Sequence, residues 1–382
     1  MAEGIMSAPK VFFYVQHLLG IGHIARASRI ANALAKDGCD VTVVTGGLPV
    51  PGFPGDGVKT IALPPVVASN AGFSGLADAN GVAADSAFLE RRRDLLLQAF
   101  RDASPDVVII EAFPFGRRQM RFELLPLLDA IENATPRPKL LSSVRDILQE
   151  NRKPGRDEET VALVQKHFDG ILVHGDPGFV ELQDTFPLTS EIAAKVHYTG
   201  MVVAPRAPEP TEVFDVIASA GGGAVGLDLL RAACDAASNL PSDLKWLLVS
   251  GPNLAEADFA ALAEMTPPNA TLVRFRKDFP SLLRGARVSI SQAGYNTVGD
   301  LLQTDCRAIL IPFVAGGETE QTVRAERLKA LGLADVLPEG QLTPALVGKA
   351  VEDALASRRT AKVLLDLNGA EKTAAIIRSM IG

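Results

Sequence analysis

Short apolar runs that stop at a glycine or a polar turn, then give way to helical spacing, recur along this chain and restrict its fold more than any other feature. Residues 11–16 end at His17-Leu18-Leu19-Gly20-Ile21-Gly22-His23, after which Ala25, Ile30, Ala31 and Leu34 follow at helical spacing. Residues 40–45, 60–63, 106–110, 139–144 and 170–173 read as further strands, with a helix over 83–103 and another carrying Leu124, Leu125, Leu127 and Leu128. Strands alternating with helices in this way predict an α/β chain built on a doubly wound parallel sheet. In such a sheet the turns after the strands share one edge, where ligands meet helix N-termini.

The rhythm is interrupted once. After an apolar run at 196–203 comes Ala204-Pro205-Arg206-Ala207-Pro208-Glu209-Pro210, a semi-rigid linker. The pattern then restarts with a strand at 214–219, the loop Gly221-Gly222-Gly223, a helix at 227–237, strands at 245–249 and 271–275, a short helix at 279–283 and a strand at 288–291. Next come Ser291-Gln292-Ala293-Gly294-Tyr295-Asn296-Thr297-Val298-Gly299-Asp300, an apolar run at 308–313, and Gly316-Gly317-Glu318-Thr319-Glu320-Gln321. A last helix is expected over 361–381, with Leu364, Leu365, Ala374, Ile377 and Met380 apolar. The predicted organisation is a first domain at 1–204, a second at 205–360 and a terminal helix in 361–382; 382 residues agree with two domains at roughly 150 each.

A net charge of −7 argues against a general nucleic-acid binder, which needs an excess of Lys and Arg on one face. Cys39, Cys234 and Cys306 are widely spaced and contain no Cys-x-x-Cys, so they signal neither a disulfide framework nor a zinc site, and a reducing cytoplasm is expected. Residues 1–10 lack the pattern of a secretory signal, and no run reaches the roughly 18 apolar residues of a membrane span.

Three groups of residues are suited to chemistry. Gly221-Gly222-Gly223, between a strand and a helix, lets backbone N–H groups approach a pyrophosphate, although a structural turn would use the same glycines. Asp300, beyond Gly294, is placed to accept hydrogen bonds from a ribose diol, and Glu318, Glu320 and Gln321 to bind sugar hydroxyls; surface acids and helix-start acids are the plainer readings. His23 follows a glycine loop at a strand end, a position for a general base, and Glu111 ends another strand of the same sheet, where it would hold the imidazole proton.

Together these residues resemble the GT-B glycosyltransferases, and the second half is most similar to the MurG-like type, with its glycosyltransferase family 28 C-terminal domain. Ser291-x-Ala293-Gly294 with Thr297-Val298-x-Asp300 resembles the family's donor signature, Asp300 standing where the family has a ribose-binding Glu. Glu320-Gln321 falls on a Gln-Gln pair that holds the donor sugar, one amide having become a carboxylate. Gly221-Gly222-Gly223 resembles the phosphate loop, with Ala224 and Val225 in place of a Ser-Gln pair. Phe275-Arg276 matches the position whose backbone reads uracil. Gly20-x-Gly22-His23, with Arg26, resembles the acceptor-side loop and its activating histidine. Glu111 parallels the acidic partner of the catalytic histidine in plant-type enzymes of the fold.

The resemblance implies two doubly wound Rossmann-like domains facing a central cleft, the acceptor on the first and the donor on the second, with the last helix crossing back to the first. It implies inverting transfer from a UDP-sugar to an acceptor hydroxyl, with His23 as base and no metal or cofactor. The acceptor, whether lipid-linked, glycan or small molecule, is not identified by these residues. A UDP-sugar hydrolase, for which Gly22-His23-x-x-Arg26 fits equally well, an epimerase, and a non-catalytic nucleotide-sugar sensor remain alternatives. Arg117, Arg118 and Arg121 beside Phe113 and Phe115 offer peripheral contact with anionic lipid at the inner face of the membrane, or else a solvated helix face. The loop at 64–81 is expected either over the cleft or as plain surface.

Overall fold

The computed structural model describes residues 8–18, 22–68, 75–150, 153–221, 226–314, 317–357 and 364–381. The chain forms two compact units, Met1–Val203 with Leu365–Gly382, and Ala204–Leu364. The first contains β1 (Lys10–Val15), α1 (Gly22–Lys36), β2 (Asp40–Thr45), β3 (Lys59–Ala62), β4 (Val67–Ala68), β5 (Leu76–Ala77), α2 (Ser86–Ala103) and β6 (Val107–Glu111). It continues with α3 (Arg121–Glu132), β7 (Lys139–Arg145), α4 (Arg156–His167), β8 (Gly170–His174) and β9 (Val196–Tyr198). The second holds β10 (Val216–Ser219), α5 (Leu227–Asn239), β11 (Trp246–Val249), α6 (Glu256–Met265), β12 (Ala270–Val273), α7 (Phe279–Gly285), β13 (Val288–Ser291) and α8 (Tyr295–Leu302). β14 (Arg307–Leu310), α9 (Glu320–Ala330), β15 (Ala334–Val336) and α10 (Pro344–Ala356) complete it, and α11 (Gly369–Ile381) belongs to the first unit.

Each unit is a parallel sheet with one reversal of strand order. The first runs β3-β2-β1-β6-β7-β8-β9 and the second β12-β11-β10-β13-β14-β15. The reversals lie between β1 and β6 and between β10 and β13, and open α/β sheets leave a crevice at the carboxyl ends of such a strand pair.

Alternation along β1 separates the layers. Val11, Phe13 and Val15 pack with Ala27, Ile30 and Leu34 of α1 and Ala370, Ala374 and Ile377 of α11. Phe12 and Tyr14 face Leu96 and Phe100 of α2 and Leu124 and Leu127 of α3. Both faces are therefore covered, as parallel sheets require. In the second unit Val216 and Ala218 pack among Leu230, Ala233 and Ala237 of α5 and Val347 and Val351 of α10.

Several expectations are corrected. The terminal helix begins at Gly369, not at 361: the Asp366 carboxylate accepts the Asn368 N–H at 3.0 Å in the turn before it, and Leu364 is 94% exposed. The stretch at 64–81 contains an antiparallel pair, β4 with β5, and residues 69–74 lie outside the described ones. The run at 196–203 is a strand only as far as Tyr198.

One charged cluster sits inside the first unit. Arg92 has no exposed surface; its Nε donates to Glu123 Oε2 at 2.8 Å, Nη2 to Gln16 Oε1 at 2.6 Å and Nη1 to the Gly46 carbonyl at 2.9 Å, while Nη1 also reaches the Pro64 carbonyl. The Tyr14 hydroxyl donates to the same buried Glu123. Arg92 thereby ties α2 to α3 and to the segments following β1, β2 and β3. Removing one member of a buried pair strands the other, at a cost of about 3–5 kcal/mol. Glu123→Ala is expected to lower the urea midpoint of the first unit accordingly, and an unchanged midpoint would show that Arg92 finds compensation elsewhere.

Candidate functional site

In the first unit, the crevice at the reversal is flanked by the end of β1 and the end of β6. β1 delivers the chain to α1, which opens with Gly22 and His23; β6 ends at Glu111, buried because its strand runs through the core. The His23 ring Nδ1 lies 2.9 Å from Glu111 Oε1, and Arg26, one turn along α1, donates from Nη2 to that same oxygen. Glu111 has no exposed surface, Arg26 is 2% exposed and the His23 side chain 20%.

The electrostatics follow from this burial. Desolvation works against the Glu111 carboxylate, yet Arg26 and His23 outweigh it and hold its pKa well below the usual carboxylate range. His23 is pushed down to about 4, mainly by burial, with Arg117 and Arg145 adding to the fall and Glu111 opposing it. A neutral ring beside a carboxylate is best satisfied with Nδ1–H donating to Glu111, which leaves Nε2 as an acceptor.

Further side chains meet at this edge. His174, at the end of β8, is fully buried, its Nε2 2.9 Å from Ser143 Oγ and its Nδ1 2.9 Å from Thr199 Oγ1, and burial brings it down to about 3. His17, just past β1, has a buried Nδ1 without a hydrogen-bond partner. Their only signal in the sequence is a place at or directly after the end of an apolar run. Gly20 lies outside the described residues.

In the second unit the loops after β10 and β13 adjoin the reversal. Gly221 takes φ +76°, favoured by glycine, and its N–H donates to Ser219 Oγ at 3.3 Å; Gly226, at φ +95°, starts α5 and would place a Cβ 2.8 Å from that of Ala220. Gly222 and Gly223 lie outside the described residues. After β13, Gly294 is the N-cap of α8, with Thr297 half-buried in the first turn and Asp300 half-buried further on. Asp300 lines a small pocket with Arg206, Arg284 and Gln303. Ser291 is buried, and so is Gln292, whose Nε2 has no hydrogen-bond partner.

The start of α9 braces these loops. Gln321 Oε1 accepts the Ala293 N–H at 3.0 Å and the Phe313 N–H at 3.3 Å, linking the loops after β13 and β14. Arg324 Nη1 donates to the Ala293 carbonyl at 3.0 Å, and its Nη2 pairs with Glu320 Oε1 at 2.6 Å. Glu320 is 3% exposed and joined to a fully buried arginine, a placement that gives its carboxylate a structural task; Glu318 Oε1 accepts the Glu320 N–H at 3.0 Å and caps the helix. Phe275 is 64% exposed, and the Arg276 fork is occupied by Asp278 at 2.8 and 2.7 Å and by Glu212 at 3.0 Å.

Of the basic run expected at a lipid surface, Arg118 and Arg121 are part-exposed and paired. Glu159 pairs with both Arg118 and Arg121, Phe113 is 1% exposed, and Phe115 meets Phe186 edge to face at 5.1 Å. Among the described residues no helix is long and apolar enough to cross a membrane, and no group of three or more His, Cys, Asp or Glu side chains is placed to hold a metal ion.

Comparison with known proteins bears directly on the braced loops. Residues 218–376 match the glycosyltransferase family 28 C-terminal domain. Among solved structures, a calicheamicin glycosyltransferase superposes with a TM-score of 0.64 at 19% identity, covering 99% of this chain and 96% of its own. MurG of Acinetobacter baumannii gives 0.62 at 15%, covering 97% and 100%. The fold is GT-B. The GT-B chain is similar in sequence to MurG-type enzymes named UDP-N-acetylglucosamine–N-acetylmuramyl-(pentapeptide) pyrophosphoryl-undecaprenol N-acetylglucosamine transferase. The one from Thermotoga neapolitana is 24% identical over 215 residues, 56% of this chain and 58% of that relative's length. The one from Sphingopyxis alaskensis is 27% identical over 351 residues, 87% of this chain and 80% of the relative.

Glu320→Gln tests the structural task of that carboxylate. It removes the charged partner that α9 gives the buried Arg324, so a loss of about 3 kcal/mol is expected in the unfolding of the second unit. Retained stability with weakened nucleotide-sugar binding would instead return Glu320 to the ligand.

Proposed function

We propose that this chain is a glycosyltransferase that moves a sugar from a UDP-sugar to an acceptor hydroxyl, with inversion and without a metal. The observation that carries the reading is the His23–Glu111–Arg26 constellation at the reversal of the first sheet, in a fold whose matching relatives are glycosyltransferases. His23 Nε2 takes the proton of the acceptor hydroxyl. The oxygen attacks the anomeric carbon as the bond from that carbon to the diphosphate oxygen breaks, and UDP departs with the bonding pair. Glu111 holds the ring and stabilises the imidazolium as it forms.

Residues 1–204 carry the acceptor half-site in this reading, Gly20, Gly22 and Arg26 included, and residues 205–360 carry the donor half-site. Gly221, Gly222 and Gly223 before α5 are assigned to the diphosphate, and Ser291 at the end of β13 with Gly294 and Thr297 at the start of α8 to the rest of the donor, where a helix N-terminus favours negative charge. Asp300 takes the ribose, and the backbone at Phe275 and Arg276 takes the uracil; the side-chain pairing of Arg276 supports a backbone role. Gln321 is the sugar contact. With Oε1 accepting from two backbone N–H groups, its Nε2 is the end left to donate to a sugar hydroxyl. The relatives' names point to N-acetylglucosamine as donor sugar and to an undecaprenol-linked acceptor; in this reading the enzyme acts in the cytoplasm, at the inner face of the membrane.

The test is release of UDP from UDP-N-acetylglucosamine and related UDP-sugars, with and without acceptor extracts. Release that needs an acceptor supports transfer; equal release without one identifies a hydrolase. His23→Ala is expected to abolish turnover while UDP affinity stays unchanged, and Asp300→Ala to weaken UDP binding about tenfold, roughly 1.4 kcal/mol. A base must be unprotonated, so activity should fall only as pH approaches the low His23 value of about 4 and stay level from about pH 6 upward. An acid limb centred near pH 6.5 would reject a buried neutral base.

A further inference from the structure

The loop between β6 and the short helical turn at Arg118–Met120 is built unlike the others. Ala112 and Arg117 take φ +65° and +57°, two of the three described non-glycine residues in the left-handed region. That region costs an L-residue roughly 1–2 kcal/mol, and such positions gather where function requires them. The loop is pinned throughout: Ser142 Oγ donates to the Phe113 carbonyl at 2.7 Å, Gly116 N–H to the Ala112 carbonyl at 2.6 Å and Met120 N–H to the Arg117 carbonyl at 2.9 Å.

The side chain that this loop presents is unspent. Arg117 Nε and Nη2 are buried and have no hydrogen-bond partner. These two nitrogens form one side of the guanidinium, the edge that receives a carboxylate or a phosphate through two parallel bonds. Among the described residues no other arginine has both atoms of that edge buried and unpaired. A guanidinium does not escape burial by losing its proton, so the arrangement calls for an anion.

Arg26 and Arg145 both lie within electrostatic reach of Arg117, and Glu111, the carboxylate nearest this group, is already joined to Arg26 and His23. Burial lowers the Arg117 pKa, with Arg145 and Arg26 adding to the fall and Glu111 opposing it. Arg118 and Arg121 are both paired with Glu159, which sets them apart from Arg117.

We propose that Arg117 is a specificity-determining residue that docks an oxyanion of the acceptor, a carboxylate or a phosphate, beside the hydroxyl that His23 activates. The proposal rests on the transferase reading for the word acceptor, not for the existence of the anion site. His17, whose Nδ1 is buried and unpaired, feels the charge of Arg117. The competing arrangement is a direct pair between Arg117 and Glu111 Oε2, which is itself buried without a partner.

The experiment titrates the full-length chain, labelled with nitrogen-15, with acetate, with methyl phosphate and with methyl glucoside as the uncharged control, at constant ionic strength. The five histidine rings report. Saturable shifts of His17 and His23 with acetate or methyl phosphate, absent at His167 and His197 and absent with methyl glucoside, are expected; the anion that saturates first identifies the source. Arg117→Gln should weaken this binding at least tenfold, and Arg117→Lys, a point charge without the fork, should lose more affinity for acetate than for methyl phosphate. No saturable shift in the unaltered protein, or equal affinity in Arg117→Gln, overturns the proposal. So does a displaced His23 signal in Arg117→Gln when the unaltered protein binds no anion, the result of an internal Arg117–Glu111 pair. Turnover separates the two readings: acceptor-dependent UDP release indifferent to Arg117→Gln keeps the transferase and removes the anion site. Anion binding without UDP release from any acceptor does the reverse.

Discussion

Glu111 is the constraint around which the first unit is arranged. A carboxylate with no exposed surface is tolerable only with a permanent cation and a hydrogen-bond donor beside it, and α1 supplies both from a single turn, Arg26 and His23. The pairing fixes the orientation of α1 at the end of β1. It also fixes the tautomer of His23, because Nδ1 is engaged with Glu111. Burial keeps the histidine neutral against the pull of Glu111, while the pairing leaves it oriented and one fifth exposed.

The second unit reaches a comparable rigidity by a different means. Its anchors are an amide and an arginine on the first turns of α9, which bond to the backbone of Ala293 from both sides, N–H and carbonyl. Glu320 neutralises that arginine from one turn away. The loop at the start of α8 is thus held by side-chain bonds from α9.

The sequence revealed the alternation well because each strand is an apolar run with both faces buried, and β13 was legible to the residue. The interrupting elements were harder. β15 has no apolar run, being half-exposed at the edge of its sheet, and α4 buries only Thr160, Val161, Val164 and His167, too few for a clear periodic face. Site residues that follow a strand, such as His23 and Glu111, could be singled out because topology alone brings their strands together. Glu320 was legible as a helix-start acid but not as the partner of Arg324, since spacing of four residues on a helix does not reveal which face is buried. Arg117 was misleading for the same reason: beside Arg118 and Arg121 it reads as a solvated basic run, and only the left-handed turn of the loop directs it inward.

These cases share a cause. A parallel sheet determines where strand ends go, so residue types at those ends carry information that sequence exposes. The loops that leave them are set by a few specific bonds, Ser142 to Phe113 in one unit and Gln321 to Ala293 and Phe313 in the other, between residues far apart in sequence. The fold therefore determines the place of chemistry, while these distant bonds determine which side chains can take part in it. A burial-driven scaffold with loops fixed by single polar side chains allows the loops to change substrate without disturbing the sheet, because exchanging one anchoring residue alters the loop but leaves both covered faces of the sheet intact.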